Sequence, residues 1–456
     1  MARILFGTDG IRGVAGAYPL DRNTAYAVGA ALANWIARSR QEPRVVIGMD
    51  TRESGPWLAA EVAGGLTARQ IAVDFAGVTT TPGVAYLAKT GPYAAGVMIS
   101  ASHNPFQDNG IKLIGHSGYK FPDEEEEQLE SDILKLALAG GTPASIAVDP
   151  NLDRAYVEHL ASTIPRGLRG LRIVVDCANG SAYSLAPELF ERLGARVRAV
   201  HCSPNGQNIN LNSGSLHLEA LRESMREAFA DAGGADVGVA FDGDADRALF
   251  LSPSGKVVDG DAVLLLAARH LKQQGELGGN GRPTVVATVM SNLGLERALA
   301  SHGIEMVRTP VGDKYVLEEM IRRGAVLGGE QSGHIIFHRY ATTGDGMLTA
   351  LRVFESMLDS GQTLDELTSE LQVYPQLLVN VRVRERKPLD QLPRVAAEIR
   401  AAESSFGDSG RVLVRFSGTE PLARVMVEGP DRAQVEAFAQ RIAAQIRAEL
   451  GGADPA

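Results

Sequence analysis

The sequence predicts an α/β chain, with three similar mixed-sheet α/β domains followed by a smaller α+β C-terminal domain. Two observations carry this. The first is a degenerate internal repeat of strand, helix and strand, the βαβ pattern that implies parallel pairing with a right-handed crossover. The second is a final segment that breaks the pattern. At 456 residues the chain is also too long for one core and calls for roughly three or four domains of about 100–150 residues.

The elements follow in order. Residues 44–49, 171–175 and 283–289 are short β-branched apolar runs, and each ends in a polar turn that opens an amphipathic stretch. Further apolar runs at 71–75, 195–200 and 304–308 close the three units. Another run follows each: 95–99, 235–241 and 325–327. These lead into polar loops containing Ser102, Asp242 and Glu330 respectively. Ligands in open α/β sheets bind at the carboxyl ends of strands, so all three loops are expected at the chemically useful end. The last segment reads as strand 377–383, helix 389–402, strands 411–415 and 424–428 around a loop, and a long helix 431–450. The expected domains are 1–150, 151–255, 256–370 and 371–456. The acidic run 123–127 after Pro122 suits a solvated helix start.

Composition narrows the functional classes. A net charge of −10 leaves no global basic footprint for nucleic acid, although arginines converging in one cleft could still hold an anionic substrate. Cys177 and Cys202 are the only cysteines, too few for a disulfide framework, and read as free thiols. No apolar run approaches the ~20 residues of a membrane helix, and the N-terminus breaks into glycine and aspartate too early for a signal peptide. The expectation is a cytoplasmic protein with no membrane or nucleic-acid partner.

Five motifs carry chemistry. Ser102 lies in Ser-Ala-Ser-His-Asn-Pro at a strand end, where a hydroxyl is held by rigid backbone. His103 beside it is expected to support the loop, since neighbouring side chains in a turn rarely face each other. Asp242, Asp244 and Asp246 alternate along the chain. In an extended segment they would share a face and offer Mg²⁺ its oxygen ligands, with Ser102 as a fourth. A calcium loop is excluded, because Arg247 and Pro253 stand where glycine and glutamate are needed. An aspartyl-phosphate phosphatase with Asp242 as nucleophile and a plain solvated turn stay open. Arg247 adds a cation beside the metal. Residues 7–13, Gly-Thr-Asp-Gly-Ile-Arg-Gly, read as a glycine-rich loop that could admit an anion, with Arg12 supplying charge.

Arg415, Ser417, Gly418 and Thr419, with Arg424 beyond, read as a phosphate nest gripping the non-reacting end of a substrate. Glu330, Gln331 and Ser332 offer paired donors and acceptors of the kind sugar hydroxyls need. His334 and Lys112 are the acid–base candidates.

These motifs, in this order, resemble the α-phosphohexomutase superfamily, and the bacterial amino-sugar mutases within it. The resemblance covers nearly the whole chain. It implies four domains around a central cleft and interconversion of glucosamine 6-phosphate and glucosamine 1-phosphate, feeding amino-sugar nucleotide and cell-wall precursor synthesis. A hexosamine 1,6-bisphosphate would be the intermediate. It also implies that Ser102 is a phosphoserine and that Asp242, Asp244, Asp246 and Ser102 hold one Mg²⁺. Glu330 and Ser332 would bind sugar hydroxyls, Arg415, Ser417 and Thr419 the distal phosphate, and Lys112 and His334 would exchange protons. A homodimer is implied as well. A glucose or mannose phosphate mutase and a non-catalytic phosphosugar-binding regulator are the alternatives. Phe416 departs from the proline usual in the family's phosphate loop.

Overall fold

The computed structural model describes residues 4–7, 9–39, 42–138, 140–416 and 421–451. By contacts the chain forms two compact units. The larger comprises 1–290 and 302–369, the smaller 291–301 and 370–456.

The larger unit contains three mixed sheets built on one plan. The first has six strands: β1 (Phe6–Gly7), β2 (Gly10–Val14), β3 (Arg44–Met49), β4 (Ala72–Val78), β5 (Ala95–Ile99) and β6 (Asp108–Gly115), in the order β1-β2-β6-β5-β3-β4. The second has β7 (Arg172–Asp176), β8 (Arg196–Val200), β9 (Val237–Phe241), β10 (Ala248–Leu251) and β11 (Val257–Val258), in the order β11-β10-β9-β7-β8. The third has β12 (Thr284–Thr288), β13 (Glu305–Thr309), β14 (Leu327–Gly329) and β15 (Ile335–Phe337), in the order β13-β12-β14-β15.

In each sheet the central strand pairs in parallel with two neighbours: β3 with β4 and β5, β7 with β8 and β9, β12 with β13 and β14. The later of these in sequence, β5, β9 or β14, then turns back antiparallel into β6, β10 or β15. That turn is the same place in all three sheets, and it is where the Ser102, Asp242 and Glu330 loops sit.

Local chemistry explains the elements. β5 and β9 are buried along their whole length, which suits uninterrupted apolar runs. Thr80 caps the helix Thr81–Thr90 by accepting from the Gly83 N–H, with Pro82 in its first turn. Asp259 caps Gly260–Gln273 and Asp345 caps Gly346–Ser360 in the same manner.

Two local expectations change. The described residues of the 7–13 stretch do not form an open loop, because Gly7 ends β1 and Gly10–Val14 is a strand paired antiparallel with β6, Ile11 opposite Ile111. Gly10, at φ 80°, lies so close to β6 that a Cβ would meet the Ile111 carbonyl oxygen at 2.4 Å, so the glycine serves strand approach. The helix expected over 389–402 starts later. A single 3₁₀ turn covers Leu389–Gln391, and the α-helix runs Pro393–Phe406, because Pro393 suits only a first turn.

The smaller unit contains an antiparallel sheet of β16 (Gln376–Arg382), β17 (Arg411–Phe416) and β18 (Leu422–Glu428), ordered β16-β18-β17. Val381, Val425 and Val427 pack with Val435, Ala439, Ile442 and Ile446 of the helix Arg432–Leu450. Among the described residues, no helix is long and apolar enough to cross a membrane.

Candidate active site

The three equivalent hairpin loops of the larger unit converge on one cluster. Ser102 takes a left-handed backbone, φ 53°, and donates its hydroxyl to Asp242 Oδ2 at 2.5 Å. Holding a serine there costs of order 1–3 kcal/mol, so the surroundings must impose it. They do: its N–H donates to Ser100 Oγ, which in turn donates to Asp50, and its carbonyl accepts from Arg52 Nη2 and Asn210 Nδ2. His103 Nδ1 lies 3.4 Å from the Ser102 hydroxyl, so adjacent side chains do meet here. Burial and the charges of Arg247 and Arg12 push the His103 pKa down to about 4, and the ring is neutral at physiological pH.

The aspartates meet differently from expectation. They are not on alternate positions of an extended strand. β9 ends at Phe241, and the chain then turns, with Ala245 N–H on the Asp242 carbonyl at 3.0 Å and Ala245 left-handed at φ 56°. The turn is pinned by one backbone N–H from each of three other segments. Ser181 donates to the Gly243 carbonyl, Thr81 to that of Asp244 and Gly346 to that of Ala245. One carboxylate oxygen from each of Asp242, Asp244 and Asp246 thereby falls within 4.8 Å of the others.

All three aspartates are buried. Burial, then the charges of Asp246 and Asp244, raises the Asp242 pKa well above the ordinary carboxylate range. Asp246 goes the other way. Burial opposes its charge, but His334, Lys112 and Arg247 hold it below the ordinary value. The Oδ1 atoms of Asp244 and Asp246 are buried without a hydrogen-bond partner among the described residues. Three clustered carboxyl groups, two of them with an orphaned oxygen, fit a hard divalent cation.

Cations flank the cluster. Lys112, from β6 and fully buried, donates to Asp244 Oδ2 at 2.8 Å and lies 3.0 Å from Asp9 and 3.8 Å from Asp246. Burial would lower its pKa, but Asp244 and Asp9 raise it, so the amine is an ammonium. Arg247 donates its N–H to Asp242 Oδ1, and its guanidinium lies 3.7 Å from Asp246. Arg12, in β2, pairs with Asp9. His334 Nδ1 faces Asp246 at 3.6 Å, while Nε2 accepts from the Gly344 N–H at 3.0 Å. Burial disfavours the charged ring, yet Asp246, Asp313 and Glu330 raise its pKa above the usual value.

Glu330 accepts from the Gly312 N–H and lies at 3.5 Å from the Ser332 hydroxyl. Gln331 directs its side chain to the Asp259 carboxylate and its carbonyl to the Gly260 N–H. In the smaller unit, Arg415 and Arg424 stand directly opposite each other on β17 and β18. Burial and the neighbouring Arg424 charge lower the Arg415 pKa. Like charges facing across a ladder destabilise it. Phe416 ends β17 and packs against that unit's core. Ser417, Gly418 and Thr419 lie outside the described residues.

Sequence reasoning missed Asp9, Lys120, Asp313 and Thr81. Lys120 bridges Asp9 at 2.6 Å and Asp313 at 2.5 Å, and Thr81 donates to Asp244 Oδ2. Asp9 lay inside the glycine-rich motif and could have been named from it. The other three sit in stretches with no motif.

Comparison with known proteins covers the chain. Residues 3–139, 154–255, 259–374 and 378–445 match the phosphoglucomutase/phosphomannomutase family, respectively its alpha/beta/alpha domains I, II and III and its C-terminal domain. A phosphoglucosamine mutase of Solibacter usitatus is 61% identical over 99% of this chain and 100% of its own. Another, from Koribacter versatilis, is 49% identical over 98% of each. A solved phosphoglucomutase/phosphomannomutase family protein of Burkholderia thailandensis superposes with a TM-score of 0.79 at 25% identity, over 98% of each chain. The N-acetylphosphoglucosamine mutase of Aspergillus fumigatus, solved with GlcNAc-6P and magnesium, shares the fold with a TM-score of 0.65 at 21% identity, over 98% of this chain and 96% of that one.

Proposed function

The chain belongs to the phosphoglucomutase/phosphomannomutase family, and from that premise we propose that it is an isomerase interconverting glucosamine 6-phosphate and glucosamine 1-phosphate through a phosphorylated Ser102. The observation that carries the chemistry is the Ser102 hydroxyl set 2.5 Å from the buried aspartate cluster. The choice of amino sugar rests on the full-length relatives.

In this reading Asp242, Asp244, Asp246 and an oxygen on Ser102 would hold Mg²⁺. When bound, the ion would neutralise the carboxylates and polarise the phosphoryl oxygens. The phosphoryl group leaves Ser102 Oγ for the free hydroxyl of the sugar monophosphate, one P–O bond breaking as another forms, and the product is a bisphosphate. Ser102 then recovers a phosphoryl group from the other end. Arg247, beside Asp242 and Asp246, stabilises charge on the transferring oxygens.

The sugar hydroxyl loses a proton in the first transfer and the departing oxygen regains one in the second. Lys112 borders the cluster at Asp244 and His334 at Asp246, and these are the two groups for that exchange. Glu330 and Ser332 suit sugar hydroxyls. The Arg415–Arg424 pair suits a phosphate, joined by Ser417, Gly418 and Thr419.

The test is intact-protein mass together with turnover of glucosamine 6-phosphate in Mg²⁺. A phosphate-sized mass excess on the Ser102 peptide is expected, with glucosamine 1-phosphate formed faster than the glucose or mannose products. Ser102→Ala should abolish turnover while sugar-phosphate binding survives. Wild-type rates in that variant would overturn the phosphoserine. Faster glucose or mannose turnover would move the assignment to a sibling mutase.

A further inference from the structure

We infer that Arg52 is a positioning residue for phosphoryl transfer, a buried clamp that holds the Ser102 loop in its left-handed conformation; this rests on the phosphoserine reading above. The Arg52 side chain is wholly buried in the turn that follows β3. Its guanidinium meets five acceptors. Nε donates to Asp50 Oδ2 at 2.8 Å. Nη2 donates to the carbonyls of Ser102 at 2.9 Å and Asn104 at 2.8 Å. Nη1 donates to the carbonyls of Asp108, at 2.9 Å, and Pro105. Four of the five acceptors are main-chain oxygens, three in the loop that carries the reactive serine and the fourth on Asp108, where that loop enters β6.

Asp50 closes the arrangement from the other side. Its Oδ2 also accepts from Ser100 Oγ, which accepts from the Ser102 N–H. Both main-chain polar groups of Ser102 therefore trace back to the Asp50–Arg52 pair. Asn210 adds a second, partly buried donor to the carbonyls of Ser102 and Asn104.

The internal repeat separates this role from one in folding. The turn after the central strand has one contact in common in all three sheets, a main-chain N–H donating to the side-chain oxygen two residues earlier. The N–H of Arg52 donates to Asp50, that of Ala178 to Asp176 and that of Met290 to Thr288. The main chain thus makes the turn with arginine, alanine or methionine at that position. An arginine stands only where the adjacent hairpin loop carries the serine. What its side chain adds to the turn is the bonding of the Ser102 loop.

Displacing the serine oxygen by about 1 Å can cost about 100-fold in rate without altering substrate contacts. Arg52→Lys keeps the charge but cannot serve five acceptors in the plane of a guanidinium. The expected result is a kcat per folded molecule about 100-fold lower, with KM for glucosamine 6-phosphate within about twofold of wild type, the signature of a loss confined to the transition state. The phosphoserine ³¹P resonance should broaden or shift. Asn210→Gly, which tolerates the left-handed backbone at that position, should lower kcat in the same direction by less.

An unchanged kcat per folded molecule and an unchanged ³¹P resonance in Arg52→Lys would overturn the inference. If that variant does not fold, wild-type kcat in Asn210→Gly overturns it. The wild-type protein is measured first. Absence of phosphate on Ser102 or of turnover there would defeat the functional reading itself, whereas an active wild type with indifferent variants defeats only the clamp.

Discussion

Each reactive group in this cluster is set by what it touches. Asp242 carries the most conflict: it is buried, faces two other carboxylates, and is offset by Arg247 and the Ser102 hydroxyl. Asp242→Asn keeps an acceptor for that hydroxyl and removes one like charge. Without metal, the variant should melt at a higher temperature than wild type, since buried like charges repel. Its Mg²⁺ affinity should fall at least about tenfold, because one of the three anionic ligands is gone. Calorimetric melting with and without Mg²⁺ reads both, and an equal shift under the two conditions would argue against a shared cation. Lys112 and His334 differ in a way their residue types do not announce. The lysine is held charged by Asp244 and Asp9, while both ring nitrogens of the histidine already face partners, Asp246 and the Gly344 N–H.

At the scale of elements, one loop position recurs. The hairpin after β5, β9 and β14 delivers serine, aspartates, and the Glu330–His334 segment to a common place because the three sheets share their strand order. Contact between the first two hairpins is close. A Cβ on Gly243 would meet the Ser102 carbonyl oxygen at 2.4 Å and Asn210 Nδ2 at 2.9 Å. Gly243→Ala should therefore push the serine loop off the aspartate loop and lower kcat by about 10–100-fold. The loss should exceed any change in melting temperature, as activity per folded molecule would reveal. A fully active variant would show that the two loops separate freely.

On the scale of the molecule, buried polar contacts tie distant segments together. Tyr156, in the helix Asn151–Ser162, donates its hydroxyl to Asp345, the cap of the helix Gly346–Ser360. Burial pushes the Asp345 pKa up to about 6, against the lowering effect of the Leu348 N–H and Tyr156. A carboxyl with a raised folded-state pKa favours the folded state while protonated, and that contribution is lost as pH rises from about 4 through about 6. Asp345→Asn can cap the helix without ionising. Its stability relative to wild type should rise by roughly 2 kcal/mol between about pH 4 and pH 7 and level off above. Denaturant melts across that range test it, and a flat difference would exclude ionisation at this site.

The sequence by itself determined the repeat, the strand runs and the chemical motifs, because burial of a β-branched strand and the need for a polar turn leave local signatures. Ser102, the aspartates, Arg247 and His334 were legible for the same reason, each lying in or beside a loop at a strand end, whereas Lys112 sits within β6 and was marked only by its residue type and its place beside a motif. Only the tertiary structure decided how they meet. The aspartates converge through a left-handed turn pinned by Ser181, Thr81 and Gly346, not through strand alternation, because the backbone bonds that shape the turn come from segments far away in sequence. Lys120, Asp313 and Thr81 joined the cluster with no motif to mark them. Arg52 stood in plain view within a polar turn, yet its five acceptors became visible only once β6 and the serine loop were folded over it. A side chain's type is written locally, whereas its partners depend on contacts between residues some fifty positions apart or more, and those are fixed by packing the sheets.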